Sequence, residues 1–378
     1  MSTERTPQVY TDIGVKRAIN ARSSSTVLGG SIISSTVLDA MDEANRTFVA
    51  MPQLLKKAGE AVAHKVGAEA AYITPGCYVA IGLSVSGIMT GKDYEKIGRL
   101  PNTANMKDRF LIQRCARYRY DRSVTVTGAK LIEVGGEDGT TEVQFDEAIN
   151  ADTAGIIYPA HLEGEPGIWP LSELVALAQD RGLKIVVDAA YRVYPLHLIT
   201  DLTKSGADLI CFSAKYMGGP NNAGFLCGSV EAVDAARLNG FMEWEIESNR
   251  SIGRGYKMDR GDIVATVVAL NEWIELDHKE RLCQQDRRLE VIAEALSGLP
   301  NLRIEQGWFD GYCSMEMKVY LDEVALGRSV FEVEQSLRNG DPGIWVWDEG
   351  DSLKIGVDML EEGDEYLLAR RLREELSV

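Results

Sequence analysis

"ADLICFSAKYMGGPNN", running from Ala207 to Asn222, decides the fold. Its first eight residues form a largely apolar run of strand length. Such a run reads as a strand buried on both faces. Lys215 follows at once, three residues before a Gly218-Gly219-Pro220 turn. A lysine closing a buried strand calls for a reason. Upstream, "LKIVVDAA" (Leu183 to Ala190) is a second continuous apolar run, and it ends in Asp188.

The same pattern recurs outward from these two runs. "AAYIT", "DRFLIQ", "AKLIEVG" and "AGIIYPA" read as strands. Between them lie the small-residue stretch "PGCYVAIGLSVSGIM", the helical "FDEAIN" and the amphipathic "LSELVALAQDRG", with Ser172 available as a cap and Gly182 as a stop. "NAGFLCGS" is expected to return antiparallel or as an edge. Before this block, helices are predicted over Ser35 to Ala50 and Leu54 to Val66. Apolar strands alternating with helices predict an α/β fold, a mostly parallel sheet with helices on both faces. After about Arg250 the pattern changes. One long helix is predicted over Arg260 to Arg288, then strands mixed with helices, a smaller C-terminal α+β domain.

Bulk properties narrow the classes. At 378 residues, 45% hydrophobic and 26% charged, the chain is an ordinary globular protein with one large or two to three smaller domains. A formal net charge of -17 opposes binding to phosphate backbones, so no nucleic-acid partner is expected. The six cysteines contain no CxxC, which argues against a zinc site or a disulfide framework; Cys211 and Cys227 read as core residues. This usage fits a reducing cytoplasm. The polar start "MSTERTPQVY" has no signal core, and no apolar run is long enough to span a bilayer.

In an open α/β sheet, ligands bind beyond the carboxyl ends of the strands. Asp188, Lys215 and the turn Pro75-Gly76-Cys77-Tyr78 fall there. Taken singly, each has an ordinary reading as a cap, a solvated loop lysine or turn geometry. Taken together they fit pyridoxal 5'-phosphate (PLP). That cofactor needs a lysine amine for a Schiff base, a carboxylate opposite the pyridine nitrogen, and a phosphate cradle at a helix N-terminus. Ser213 could add a hydroxyl to the phosphate, and the glycines after Lys215 let the backbone pass close to it. No metal is implied.

The chain also resembles the fold-type-I PLP enzymes, and within them the group related to selenocysteine synthase (L-seryl-tRNA selenium transferase) that includes D-glucosaminate-6-phosphate ammonia-lyase-like enzymes. The likeness rests on an ordered set: "INARSSSTVLGGS", "YITPGCYVAIGLSVSGIMTG", "YDRSVTVTGAKLIEVG", "VVDAA", "FSAKYMGGPNNAGFLCG" and "IGRGYKMDRGDIVATVVAL". It implies that Lys215 is the Schiff-base lysine, that Asp188 is the pyridine partner, and that Arg254 and Lys257 are basic positions near cofactor or substrate. Residues 51–260 are then the large PLP-binding domain, after an N-terminal arm and loop (1–50) and before a linking helix and small C-terminal domain (261–378).

The chain departs from this group at three places. Selenocysteine synthase carries an extra N-terminal region for tRNA, whereas here "INARSSST" comes almost at once, so tRNA modification is not expected. Ala116, in "QRCARYRYDR", stands where relatives have a histidine that stacks on the cofactor; Tyr118, Tyr120 or Tyr78 could cover that face instead. "LKIGVDML", with Asp358, stands where relatives have an Asp-Pro-Arg-like motif. A substrate carboxylate would then fall to Arg22, Arg192, Arg254 or the cluster Arg114, Arg117, Arg119 and Arg122. In "AHLEGEPG", His161 or Glu163 could serve as acid or base. His64 and His278 read as surface residues, and Trp345 and Trp347 as core.

The function this implies is a PLP-dependent enzyme at the α-carbon of an amino acid or amino-sugar acid. The resemblance favours a lyase that eliminates and releases ammonia. A racemase or epimerase, an aminotransferase, and a non-catalytic binding protein on an inherited fold are the alternatives. The expected partners are a small amino-acid-like substrate and copies of the same chain, as a homodimer or higher homo-oligomer.

Overall fold

A computed structural model describes residues 6–246, 249–309 and 312–377. In chain order the strands are β1 (Ala18–Asn20), β2 (Ala70–Thr74), β3 (Arg109–Gln113), β4 (Lys130–Val134), β5 (Thr153–Pro159), β6 (Lys184–Asp188), β7 (Leu209–Ser213), β8 (Gly224–Gly228), β9 (Leu302–Gly307), β10 (Glu316–Leu321), β11 (Gly343–Trp345), β12 (Trp347–Asp348) and β13 (Ser352–Gly356). The chain divides into two compact units, Ile33–Ile274 and Met1–Ile32 together with Glu275–Val378.

The first unit is built on a seven-stranded sheet in the order β2-β8-β7-β6-β5-β3-β4. Strands β4, β3, β5, β6 and β7 run parallel, and β8 is antiparallel to both β7 and β2. The mostly parallel sheet is thus borne out, and "NAGFLCGS" is antiparallel but lies inside the sheet, with β2 at the edge. Every residue of β5, β7 and β8 is buried. That is why these strands read as unbroken apolar runs rather than alternations. The helix Cys77–Thr90 lies against β6, β7 and β8 and against the helix Val230–Leu238. Its small residues allow that close approach on more than one side.

Because β8 alone is reversed, the carboxyl ends of β2, β3, β5, β6 and β7 share one edge of the sheet. Register then fixes what meets there. Asp188 lies opposite Pro159 on one side and Cys211 on the other. His161 stands two residues past Pro159, and Lys215 four past Cys211.

The second unit contains the antiparallel sheet β12-β13-β10-β9 and the parallel pair β1-β11. Along β10 and β13, Met317, Val319, Leu353 and Ile355 point inward to a core with Leu289, Ile292, Val333 and Leu368, while Lys318 and Lys354 stay outside it. This is the period of two expected of a sheet with one buried face. Arg17 holds both carboxylate oxygens of Asp364, at 2.7 and 2.8 Å, next to the Ala18↔Gly343 pairing.

Several sequence expectations need correction. The long helix is two, Arg260–Glu275 and His278–Leu296. Asp277 ends the run, because its side chain accepts from the Glu280 N–H at 3.0 Å and starts a new helix. His278 is buried, and its Nδ1 accepts from Arg281 Nε at 3.0 Å. Ser172 is not a cap: the helix Leu171–Asp180 is entered through Pro170. The first helix stops at Asn45, and the second begins at Met51 with Pro52 in its first turn.

Candidate active site

Asp188 is buried at the end of β6. Its Oδ1 accepts from the Ala190 N–H at 3.0 Å and from the Cys77 thiol at 3.5 Å. Its Oδ2 accepts from the Tyr118 hydroxyl at 2.6 Å. The Cys77 Sγ also lies 3.3 Å from the Cys211 carbonyl oxygen. Burial, and then the charge of Asp188, push the Cys77 thiol up, which keeps it a donor. A single carboxylate therefore ties together the first residue of a helix, the segment after β6 and the turn after β3.

Lys215 sits in the tight turn Ala214–Met217, which directly follows β7. Bonds from Ala214 N–H to the Ala223 carbonyl and from Gly219 N–H to the Ala214 carbonyl, both 2.9 Å, pin this turn. The amine is half-buried and lies 4.9 Å over the Tyr216 ring. Burial pulls its pKa below the ordinary lysine value. A row of rings runs from Asp188 to Lys215: Tyr118 against His161 at 5.2 Å, His161 against Tyr191 at 5.6 Å, Tyr191 against Tyr216 at 5.7 Å. Burial also lowers the His161 pKa; the charge of Asp188 opposes this and that of Arg192 adds to it. His161, Asp188 and Arg192 are thus electrostatic neighbours.

The helix Cys77–Thr90 begins at this edge with no side-chain cap. The first backbone N–H groups of an α-helix have no partner within it and favour an anion. Gly76 enters the helix at φ +87, a conformation that L side chains rarely adopt. A Cβ on Gly224 would come within 2.9 Å of Gly76 C and 3.0 Å of Cys77 N. Only a glycine there lets β8 seat the turn so closely. Ser213, the last residue of β7, is buried, and its N–H donates to the Ala190 carbonyl at 3.1 Å. Tyr256 lies near enough to Tyr78 for their charges to couple, which brings the "IGRGYK" segment to the start of the helix.

The remaining candidates divide. Arg254 pairs with Glu245 at 2.8 Å, and Lys257 is exposed. Glu163 accepts from the Tyr158 hydroxyl and from the Leu171 N–H, which engages it in holding its own loop. In the arginine cluster, Arg114 pairs with Glu137 and Glu133, Arg117 pairs with Asp121 and Glu133, and all four arginines are exposed. Arg22 belongs to the other compact unit. Its guanidinium lies over Trp347 at 4.5 Å and Trp345 at 5.4 Å and donates to the Val346 carbonyl at 2.8 Å. The two tryptophans therefore flank Arg22 rather than fill the core. Asp358 is in that unit too, where burial raises its carboxyl while the nearby Ser23, Arg281 and Arg288 pull the other way.

Sequence reasoning missed Tyr191 and Tyr216. Both carry a signal in hindsight, since they follow Asp188 by three residues and Lys215 by one. Among the described residues no group of three His, Cys, Asp or Glu is placed to hold a metal ion. None of the described helices is long and apolar enough to cross a membrane. The cysteines are free thiols.

Residues 120–304 match the family model Aminotransferase class-V. The chain is 29% identical to D-glucosaminate-6-phosphate ammonia lyase of Salmonella typhimurium (strain 14028s / SGSC 2262), over 98% of each chain. It is 27% identical to 5'-C-glycyluridine monooxygenase-decarboxylase of a Streptomyces species, over 97% of this chain and 91% of that one. A solved structure of D-glucosaminate-6-phosphate ammonia-lyase superposes with a TM-score of 0.84 at 26% identity, covering 98% of this chain and 99% of the other.

Proposed function

We propose that this chain, which has the fold-type-I architecture of the class-V aminotransferases, is a PLP-dependent lyase that removes ammonia from an amino acid or amino-sugar acid. The observation that carries this reading is the meeting of Lys215 and Asp188 at one sheet edge, joined by a row of aromatic rings. Likeness to the ammonia lyase along nearly the whole of both chains supports the reaction type.

The residues fit the cofactor on three counts. The Lys215 amine is desolvated and so more readily neutral. Asp188 is buried and accepts from the Tyr118 hydroxyl and the Ala190 N–H, with the Cys77 thiol beside it, so the carboxylate is fixed in place at the sheet edge. The helix at Cys77 starts uncapped against a glycine strand, a cradle that a Cβ at Gly224 would close. Bound there, PLP supplies an electron sink for negative charge at the substrate α-carbon. Lys215 anchors it, and its amine takes the α-proton. Asp188 holds the proton on the ring nitrogen. Cys77, Gly76 and Ser213 serve the phosphate. His161, biased toward its neutral form, accepts a proton beside them. Arg192, Arg254, Lys257 and Arg22 stay as candidates for the substrate's acidic groups, with Arg192 first because it is His161's neighbour.

The cofactor-binding domain is taken as residues 51–260, with arm 1–50 and C-terminal part 261–378. A homo-oligomer is proposed as well. Val9, Tyr10 and Ile13, close together in the N-terminal arm, are large apolar side chains left exposed and are the proposed contact, with Phe48 of the other unit also exposed.

The test is incubation of PLP-loaded protein with D-glucosaminate 6-phosphate and a panel of amino acids. Ammonia release with formation of a keto acid supports the lyase. Racemised or epimerised substrate, or transfer of the amino group to a keto acid, replaces it with the corresponding alternative. Carbon dioxide release favours a decarboxylase, the reading carried by the likeness to the monooxygenase-decarboxylase.

A further inference from the structure

The Tyr118 hydroxyl bonds the carboxylate taken as partner to the cofactor's ring nitrogen. We propose that Tyr118 is a positioning residue that acts on that nitrogen through Asp188, weakening the carboxylate's hold on the ring proton and so setting the strength of the electron sink. This rests on the PLP reading above.

A carboxylate offers about four lone-pair positions. Two of Asp188's are taken outright, one on Oδ1 by the Ala190 N–H and one on Oδ2 by Tyr118, and the single Cys77 S–H is shared between Oδ1 and the nearer Cys211 carbonyl. Oδ1 is the more crowded oxygen, which leaves Oδ2, the one that carries the Tyr118 bond, the more open to a further donor. An O–H to carboxylate bond of 2.6 Å is in the short, charge-assisted range. It draws charge from Oδ2 and leaves that oxygen a weaker acceptor for a further hydrogen bond. Burial and the charge of Asp188 push the phenol's own pKa up, so it stays a donor.

The hydroxyl is also held in place. The Tyr118 backbone N–H donates to Asp121 Oδ2 at 3.4 Å, Arg117 is paired with the same carboxylate, and the ring lies edge-on to His161. Ala116, two residues earlier, is small and buried. The turn after β3 thus holds a tyrosine aimed at the carboxylate.

The test uses full-length protein loaded with PLP labelled with 15N in the ring. In Tyr118→Phe the ring resonance moves toward the protonated position. The apoprotein also binds PLP on the order of tenfold tighter, the scale of one hydrogen bond to a charged group. A merely structural tyrosine would give weaker binding and an unmoved resonance, and that result overturns the proposal. A fluorotyrosine at 118, a stronger donor of the same shape, shifts the resonance the opposite way; no shift in it also overturns the proposal, even where the phenylalanine variant fails to fold. Wild-type protein that binds no PLP removes the cofactor reading itself. Wild-type protein that binds PLP with a resonance indifferent to residue 118 removes only the role of Tyr118.

Discussion

Lys215 and His161 share one physical setting, burial beside aromatic rings, and both shift toward the neutral form. For Lys215 the direction matters because only the neutral amine attacks a carbonyl. Desolvation lowers its pKa, so the neutral fraction appears at a lower pH than for an exposed lysine. The rate of covalent PLP attachment, followed by absorbance, is expected to reach half-maximum below 10.5, the ordinary lysine value. For His161, burial outweighs the opposing charge of Asp188, so the neutral ring persists below the ordinary 6.5. Activity that depends on it is retained through pH 6.5 and lost only as pH falls further. His161→Gln is expected to lower kcat by about 10²–10⁴-fold and to remove that acid limb; an unchanged pH–rate profile would make His161 a loop residue. Lys215 and Asp188 were legible in the sequence because each closes a long apolar run. The partners of Asp188 were not, since Cys77 and Tyr118 reach it from 111 and 70 residues away.

At the scale of elements, the close seating of β8 against the turn Thr74-Pro75-Gly76 shapes the proposed phosphate cradle. Gly224→Ala would place a Cβ 2.5 Å from the Phe212 carbonyl oxygen and 2.9 Å from Gly76 C. Backbone atoms give way poorly, so overpacking there is expected to cost about 1–3 kcal/mol. Denaturant unfolding measures the stability, and PLP titration should weaken in parallel. Equal stability and affinity would mean that the cradle does not depend on this approach. The strands β5, β6, β7 and β8 could be read from sequence because burial on both faces leaves an uninterrupted apolar signal. The break at Asp277 could not, because a charged run continues across it and only the capping bond marks the new helix. The helix start at Leu171 rather than after Ser172 was equally hidden, because the carboxylate that takes the Leu171 N–H, Glu163, lies eight residues upstream.

At the scale of the molecule, a net charge of -17 coexists with exposed apolar side chains concentrated in residues 9–49. A charge so large keeps copies apart unless a specific apolar contact overcomes it. For the proposed homo-oligomer, light scattering at low protein concentration is expected to give at least twice the chain mass. Phe48→Glu, at a position 91% exposed, is expected to lower that mass without unfolding the protein. A monomer in the wild type would withdraw the proposal. The α/β class and the succession of strands along the chain were legible, because that reading needed only local apolar pattern; the order of strands in the sheet was not. The environment of Arg22 was not: its cage forms through a partner 324 residues away. The same holds for Trp345 and Trp347, whose sequence context reads as core until Arg22 is seen beside them.

The central claim is that Lys215 holds PLP, and borohydride labelling tests it most directly. Purified protein is supplied with PLP, its visible spectrum is recorded, borohydride is added, and the modified peptide is mapped. A visible band that borohydride removes, with the label on Lys215 and absent in Lys215→Ala, is the predicted result. Protein that takes up no PLP, or carries the label on another lysine, would contradict the account.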